Sequence, residues 1–520
     1  MVEIRTADTS AAAVRGLQDL GAHVVNVSAE YSTITAAVAP GDLPGIAAAA
    51  NVQYVSEVLA PQVGTTGAAP RTAVTAAGAC SPIVSEGDSL MNVATARAAN
   101  NLDGAGQKIG ILSDSFNTDT NAATHAPGDV ASGELPGATN PCGHTTPVTV
   151  QADYSGGGQN DEGRAMAQLA HDLAPGADLA FATAIRGSLD FASQITNLRT
   201  VNHASVLVDD ISYLDEPFFQ DGPIANAANA ASAAGVPYFS AAGNFNVIVG
   251  GSDVSSYETP MLRSVTCPSQ VSAIEPVDGC HDFNPTAGAD TGDDITLAPG
   301  GGFGVDLQWA QPLGGVTSDY DIFIANATNS IVAHSTADNI TSQKPFEFTG
   351  YTNSSGSPQT VHIIIVKYAG PDARFKFVMV GSGGITGVQY NATTGGDIVG
   401  PAIFGHNGTS TVGSTAAIPY DNSDTSEDYS SRGPVTLYFE PSPSHNPLGA
   451  PQVLSQPAFA ATDDVQTSFF AQQVGGVWRF AGTSAAAPQA AAIGALMREK
   501  SPALAPAQVI AALSSTARPV

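Results

Sequence analysis

The run Gly482-Thr483-Ser484-Ala485-Ala486-Ala487-Pro488 lies near the end of a 520-residue chain, and an alanine-rich helical pattern follows it. A serine between small residues at the start of a helix suits a nucleophilic hydroxyl, because Gly482 and Ala485 leave room for a carbonyl group. The helix N-terminus also places positive potential where an oxyanion would develop. The alternative is a packing helix in which Ser484 is the N-cap residue.

The same run resembles the nucleophile motif of the subtilisin-like serine peptidases and of the related, acid-active sedolisins. The resemblance implies an α/β fold in which helices flank a parallel sheet. It also implies three further features upstream of the serine. They are an aspartate at a strand end, a general base at a helix start and an asparagine that stabilises the oxyanion.

Two of these features have matching residues. The apolar stretch Lys108-Ile109-Gly110-Ile111-Leu112-Ser113 predicts a buried strand, and Asp114 follows it at the edge where α/β folds hold their sites. Asp114 therefore matches the catalytic aspartate of the family. The segment Ala241-Ala242-Gly243-Asn244 resembles the one that carries the oxyanion asparagine of subtilisins, so Asn244 is the candidate donor. For both residues the alternative is a turn role.

The third feature departs from the subtilisin pattern. A helix predicted from Glu162 ends at Ala174-Pro175-Gly176, and Glu162 stands where subtilisins have the histidine base. Sedolisins have a glutamate base at this place, so the resemblance implies that Glu162 is the base. Sedolisins also have an aspartate one turn later, where this chain has Met166. His171 lies about 13 Å further along the helix, and we expect it to interact with the helix C-terminus.

A carboxylate base changes the expected pH dependence. A free glutamate has a pKa of about 4.3 and a free histidine about 6.5. Two carboxyl groups held close together also retain one proton between them. We therefore expect activity to peak in acid and to fade toward neutral pH.

The stretch Ala204-Ser205-Val206-Leu207-Val208 predicts another core strand, which continues to Ser212. By analogy with the family, its end forms one wall of the substrate cleft, and Ser212, Gly243 and Gly482 contact the substrate. One member of the pair Asp209 and Asp210 must face inward, because side chains alternate along a strand. We assign neither of them a catalytic role.

Composition limits the possible partners. The chain has 18 basic and 47 acidic residues, a formal charge of −29 that repels nucleic acid and anionic membranes. No run of about eighteen apolar residues is present, so we expect no membrane span. The first residues, Met1-Val2-Glu3-Ile4-Arg5, do not resemble a signal peptide. We expect a secreted protein, partnered by polypeptide substrates, whose signal peptide is absent from this sequence.

The order of predicted elements suggests three kinds of unit. The β-α-β-β-α-β pattern of residues 1–60 resembles the ferredoxin-like inhibitory propeptides of subtilisin-like proteases, which would make this unit a partner in cis. The alternative is an unrelated ferredoxin-like module. Alternating runs separated by turns predict an inserted antiparallel β-sandwich. The predicted divisions are 1–60 for the propeptide-like unit, 61–104 for the linker and the start of the mature enzyme, 105–255 and 391–520 for the catalytic domain, and 256–390 for the insert.

The linker predicted over residues 60–80 is rich in proline, glycine, threonine and alanine, and it is where we expect cleavage. The chain has four cysteines, Cys80, Cys142, Cys267 and Cys280, without the Cys-x-x-Cys spacing of a zinc site. Their even number fits two disulfides. Cys267–Cys280 is the better candidate because it closes a short loop.

Together these features predict a serine endopeptidase of the subtilisin and sedolisin clan. Ser484 would be the nucleophile, Glu162 the base, Asp114 its partner and Asn244 the oxyanion donor. The chemistry requires no cofactor, although a structural calcium ion is possible. The alternative is an inactive binding module that kept the fold, which the missing histidine and Met166 favour. The intact Ser484 motif and Asn244 oppose it.

Overall fold

Seven parallel strands form the central sheet of the computed structural model, which describes residues 1–63, 81–154, 156–286 and 288–520. Every neighbouring pair in this sheet is parallel, which confirms the predicted α/β class. The strands, in spatial order, are Phe459–Asp463, Val412–Pro419, Tyr238–Ala241, Val206–Asp209, Lys108–Ser113, Asp178–Thr183 and Thr149–Ala152.

Both faces of the sheet are covered by helices, which explains why its strands are continuous apolar runs. Ile109 and Ile111 face one side, where they pack with the helices Glu162–Leu173 and Thr483–Lys500. Leu112 faces the other side, because side chains alternate along a strand. The two helices that begin at the candidate base and beside the candidate nucleophile therefore share one face of the sheet. We call them the Glu162 helix and the Ser484 helix.

The remaining helices of the catalytic part lie on the opposite face of the sheet or at its margins. Ser188–Thr200 and Pro223–Ala233 cover the face opposite the Ser484 helix. The others are Gly87–Leu90, Val93–Asn100, Ala126–Ser132, the 3-10 helix Gly405–Gly408 and the last helix, Pro506–Thr516. Within the described ranges, no helix combines the length and apolar character that crossing a lipid bilayer requires.

The N-terminal unit has the predicted β-α-β-β-α-β order. Its strands Val2–Thr6, His23–Ser28, Thr33–Ala37 and Val52–Glu57 form an antiparallel sheet, and its helices are Ala11–Asp19 and Leu43–Ala47. Ile4, Leu17, Ile34 and Ile46 are fully or almost fully buried and form a small core of their own. This unit has the architecture that the sequence pattern predicted.

A short strand follows the N-terminal unit. Gln62–Val63 pairs antiparallel with Ile211–Ser212, so that Gln62 lies opposite Ser212 and Val63 opposite Ile211. We call Gln62–Val63 the linker strand. Residues 64–80, where cleavage is predicted, and Cys80 lie outside the described residues.

The insert is antiparallel throughout, but its strands are hydrogen-bonded into one continuous sheet rather than two separate ones. The long strand Asp293–Trp309 pairs with three others and changes register between Leu297 and Gly304, so the sheet folds around one core. Ile398–Val399 pairs with Ser256–Thr259, beyond the predicted boundary at residue 390. The other strands are Ser264–Val265, Gly279–His281, Asp319–Asn326, Ile331–Ser335, Phe346–Thr352, Gln359–Ala369 and Phe375–Val388, and the helices are Ser269–Ser272 and Asn339–Ser342.

Smaller hairpins complete the catalytic part: Ile248–Val249 with Ser252–Asp253, Val435–Phe439 with Pro447–Leu454, and Val477–Phe480 between Val465–Thr467 and Gln472–Val474. The predicted disulfide Cys267–Cys280 is present, with the two Cα atoms 5.0 Å apart. It ties a loop of the insert to the strand Gly279–His281. The possible second disulfide would involve Cys80, which lies outside the described residues.

Candidate active site

Asp114 lies at the C-terminal edge of the parallel sheet, directly after the strand Lys108–Ser113. Its carboxylate accepts hydrogen bonds from the backbone N–H groups of Asn160 at 3.0 Å and Gly163 at 3.3 Å, and a third from the N–H of Ser115. Asp114 is thus held at the start of the Glu162 helix. Burial raises the pKa of Asp114 to about 6, although these hydrogen bonds act against the rise.

Glu162 is the first residue of its helix, and its side chain is fully buried. The next residue must be small, because a Cβ on Gly163 would lie 2.2 Å from the Phe181 ring and 2.8 Å from the carbonyl oxygen of Ser115. This close approach allows the start of the helix to pack against the sheet. Burial raises the pKa of Glu162 well above its usual value, and the nearby carboxylates of Asp210 and Asp114 raise it further.

The structure brings Asp210 to this site, a residue to which the sequence analysis gave no catalytic role. Asp210 follows the strand Val206–Asp209, which lies beside the strand that leads to Asp114. Burial raises the pKa of Asp210, while its interactions with the side chains of Glu162 and Ser113 lower it. Because parallel strands end at the same edge, an acidic residue after each of two core strands is the pattern that could have identified Asp210.

Polar atoms without hydrogen-bond partners are concentrated here. Within the described residues, both carboxylate oxygens of Glu162 and of Asp210 and the hydroxyl of Ser484 are buried without a hydrogen bond of standard geometry. The Ser484 hydroxyl is nevertheless close enough to Glu162 to lower its pKa. Most buried polar groups in folded proteins are paired, so a cluster of unpaired ones marks a site that can take up substrate or water.

The start of the Ser484 helix does not match the alternative in which Ser484 is the N-cap residue of a packing helix. Its N-cap residue is Gly482, so Ser484 is the second residue of the helix and not its cap. Gly482 has a φ of +132° and donates its N–H to Asp463 at 2.7 Å. Asp463, which the sequence analysis missed, thereby fixes the backbone immediately before the candidate nucleophile. Burial raises the pKa of Asp463 to about 8.

Asn244 lies against the start of the same helix. Its side-chain oxygen accepts a hydrogen bond from the N–H of Thr483 at 3.0 Å and another from the Thr483 hydroxyl at 2.9 Å. Gly243 has a φ of +92°, and a Cβ there would lie 2.9 Å from the ring of Phe245, so the turn requires glycine. Ser431 donates its N–H to the carbonyl oxygen of Gly243 at 2.9 Å and supports the turn.

Ser212 lies on the strand that pairs with the linker strand, and Asn407 connects it to the site. The Ser212 hydroxyl donates to the side-chain oxygen of Asn407 at 3.4 Å, and the amide nitrogen of Asn407 donates to the carbonyl oxygen of Ala241 at 2.7 Å. The strand that ends at Ala241 leads to Asn244. The predicted cleft wall and the candidate oxyanion donor are therefore joined through Asn407.

Two helix residues have packing roles. Met166 is fully buried in the core cluster that contains residues of both the Glu162 and the Ser484 helices, so an apolar side chain stands where the resemblance to sedolisins led us to expect an aspartate. His171 lies in the last turn of the Glu162 helix, where it was expected, but burial lowers its pKa to about 3, so it is a neutral imidazole there. His171 packs edge-on against His144, with ring centroids 5.3 Å apart. It is not part of the site.

Arg164 supports the loop between Asp114 and the Glu162 helix. The guanidinium is fully buried, donates to the carbonyl oxygen of Phe116 at 2.9 Å, and forms ion pairs with Asp129 and Asp161. It also lies 3.6 Å from the ring centroid of Phe469. In the described part of the chain, no group of three or more His, Cys, Asp or Glu residues is arranged to hold a metal ion.

Among protein families, a model described as the subtilase family, Peptidase S8, matches residues 45–520. The search of curated proteins gives no match. Among solved structures, the CspB protease of Clostridium perfringens is similar, at 14% identity over 82% of this chain and 90% of that chain, with a TM-score of 0.41. MycP1 from Mycobacterium smegmatis is similar at 12% identity over 89% of this chain and 84% of that chain, with a TM-score of 0.33.

Proposed function

The chain belongs to the subtilase family and is a serine endopeptidase, and from this premise we propose that it uses a carboxylate in place of the histidine base. The observation that carries the proposal is the buried cluster of Glu162, Asp210 and Ser484, whose polar side-chain atoms form no hydrogen bond of standard geometry with any described residue. A base must face its nucleophile, and the Ser484 hydroxyl lies close enough to Glu162 to change its pKa.

In the proposed reaction, Ser484 Oγ attacks the scissile carbonyl carbon and its proton passes to Glu162. The amide of Asn244 and the backbone N–H of Ser484 donate hydrogen bonds to the oxyanion. Glu162 then returns the proton to the leaving amine as the acyl-enzyme forms. Water attacks the acyl-enzyme by the same route in reverse. Asp114 orients the start of the Glu162 helix by accepting the N–H of Gly163.

We propose that Asp210 is the carboxyl partner of Glu162, a role that the apolar side chain of Met166 cannot fill. Two neighbouring buried carboxyl groups share a proton. The charge on Asp210 raises the pKa of Glu162, so Glu162 would retain that proton until the pH exceeds its raised pKa, and above that pH it is ionised and able to act as a base. Because burial raises the pKa of both groups, and the carboxylates of Asp210 and Asp114 raise that of Glu162 further, this state occurs at higher pH than for exposed carboxyl groups. We therefore propose an optimum in mild rather than strong acid.

The inactive alternative is not favoured. The family assignment is to peptidases, and Asp210 provides a carboxylate partner in spite of the missing sedolisin aspartate. A binding module would also have no need for a buried serine hydroxyl beside unpaired carboxylates, because such groups are costly to bury.

We also propose that residues 1–60 are an inhibitory propeptide that acts in cis. Lys344 of the insert joins the N-terminal unit to the catalytic part, with its Nζ 2.7 Å from Glu3 and 2.9 Å from Asp215. Asn26 donates to the hydroxyl of Ser193 at 2.8 Å. The linker strand then lies along Ile211–Ser212, where a substrate backbone would pair. Ser484 is fully buried in this arrangement, as suits an uncleaved precursor.

The remaining assignments complete the proposal. A disulfide and an acidic surface fit a secreted enzyme. The proposed chemistry needs no cofactor, and a calcium ion would have a structural role only. Ser212, Gly243 and Gly482 would contact the substrate, Ser212 through the strand that now pairs with the linker strand.

The decisive experiment is self-processing of the full chain. We expect wild type to cut within residues 60–80 and Ser484→Ala to remain intact, as followed by mass spectrometry. We expect Glu162→Gln to process at least about 100-fold more slowly, because general base catalysis contributes about 10²–10⁴-fold. Full activity of Glu162→Gln would refute the carboxylate base, and processing of Ser484→Ala by the purified protein would refute the nucleophile.

A further inference from the structure

The linker strand lies between the catalytic part and the insert. In an extended segment successive side chains point to opposite sides. Val63 packs against the core cluster that contains Ile211 and Tyr213, which belongs to the catalytic part. Gln62 lines a cavity of about 380 Å³ on the side of the insert.

We call this cavity the insert groove. Glycine residues shape the wall that the insert contributes to it. It is lined by Gln62 together with Gly300, Gly302, Phe303, Gly304, Phe348, Thr352, Val380, Gly381 and Gly383. A Cβ on Gly304 would lie 2.7 Å from the Phe348 ring and 3.2 Å from Val380. A Cβ on Gly302 would lie 2.9 Å from the carbonyl oxygen of Tyr351. The glycines therefore let these strands approach closely and leave an open face beside Gln62.

Leu59, three residues before Gln62, makes a second contact with the rest of the protein. Leu59 packs against a buried apolar cluster to which both parts of the protein contribute. The catalytic part contributes Leu214, Phe218, Phe219, Phe245, Ala402 and Phe404, and the insert contributes Val378 and Val380, with Phe346 and Phe348 packed against them. The cluster is thus closed on one side by the same strands that line the insert groove.

We propose that the insert is the specificity wall of the substrate cleft. An extended peptide that replaces the linker strand would present one side chain to the insert groove, at the position that pairs with Ser212. Residues 58–61 do not belong to the strand, so the alternation does not extend to them. A peptide that follows their path would also place an apolar side chain, three positions earlier, in the cluster now occupied by Leu59. This inference rests on the proposed function, because it takes the linker strand as a stand-in for substrate. The insert would thus select the side chains of the substrate, which the catalytic residues do not do.

The first test uses fluorogenic peptides with the chain's own sequence from Val58 to Ala69, and a matched series with asparagine in place of Leu59. The enzyme is the full chain after self-processing. We expect kcat/KM to favour leucine by about tenfold or more, since an apolar pocket discriminates on this scale. We expect Phe348→Ala to reduce that preference at least about threefold. Tyr368→Ala is the control, because Tyr368 is an exposed aromatic residue of the insert outside the insert groove.

The second test does not depend on catalysis. In the full chain carrying Ser484→Ala, Phe348→Ala should speed amide hydrogen exchange of residues 59–63 about tenfold, and Tyr368→Ala should leave it unchanged. Equal exchange in both variants, or a leucine preference that Phe348→Ala leaves intact, would overturn the inference. If no variant hydrolyses any peptide, the proposed function fails, and the exchange measurement still decides whether the insert holds this segment.

Discussion

The side-chain oxygen of Asn244 accepts two hydrogen bonds from Thr483, one from the backbone N–H at 3.0 Å and one from the hydroxyl at 2.9 Å. The Thr483 hydroxyl also accepts the N–H of Gly243 at 3.2 Å. Because the carboxamide is planar, fixing its oxygen fixes the direction of its NH₂ group. Thr483, the residue before the proposed nucleophile Ser484, therefore orients the proposed oxyanion donor.

We predict that Thr483→Val lowers kcat about 3–10-fold with little change in KM. The valine loses both hydrogen bonds of the hydroxyl, and the one to Asn244, with a net value of about 0.5–1.5 kcal/mol, is the one that bears on kcat. The lost bond orients a donor that acts in the transition state. Steady-state kinetics on a peptide substrate measure the effect. Thr483→Ser is the matched control and should keep most of the activity. A raised KM with unchanged kcat would contradict the orienting role.

The pairing of Glu162 with Asp210 leads to a pH prediction. Asp210 raises the pKa of Glu162 by charge repulsion, in addition to the effect of burial. Asp210→Asn removes that charge, so the pKa of Glu162 falls and the base ionises at lower pH. We expect the rising limb of the pH profile of kcat/KM to move to lower pH, as measured from strongly acidic to mildly alkaline pH.

A matched control for this shift is Glu134→Gln. Burial raises the pKa of Glu134 to about 7, and its carboxylate accepts hydrogen bonds from Ser81 and Ile83. Because it lies outside the site, its neutralisation should leave the rising limb in place. The same displacement in both variants would show that the profile reports overall stability rather than the Glu162–Asp210 pair.

His406 forms a buried ion network next to the site. Its Nε2 lies 3.0 Å from Asp209 and its Nδ1 2.9 Å from Glu216, and these carboxylates raise the pKa of His406 to about 10 despite its burial. The neighbouring Asn407 supports Ser212 and Ala241. A charged imidazolium therefore holds the strand end that carries Asp210.

We predict that His406→Gln lowers the free energy of unfolding by about 3–5 kcal/mol, because it leaves two buried carboxylates without their cation. The folded-state pKa of His406 is raised, so its contribution is complete below pH 6.5 and is lost as pH rises through about 10. Denaturant unfolding across this range should show the gap between wild type and His406→Gln narrowing as pH rises. His445→Gln, at an exposed histidine, is the control. A gap that is constant with pH would refute this explanation.

The sequence by itself determined the class of fold and the order of most site residues. Apolar runs that are buried on both faces identify parallel strands, and local motifs such as Gly482-Thr483-Ser484 and Gly243-Asn244 have geometric requirements that few other residues meet. The candidate base was also visible in the sequence, since Glu162 stands at a fixed spacing before Ala174-Pro175-Gly176. Such features depend on neighbours along the chain.

Only the tertiary structure decided which distant side chains complete the site. Asp210, Asp463 and His406 lie on different elements, and their roles depend on which strands are adjacent in the sheet. Their pKa values depend on burial and on charges brought close by folding, which no local pattern encodes. The position of the insert beside the linker strand is likewise a matter of packing between remote segments. Local spacing thus fixes the motif around Ser484, and long-range packing fixes the carboxylates that surround it.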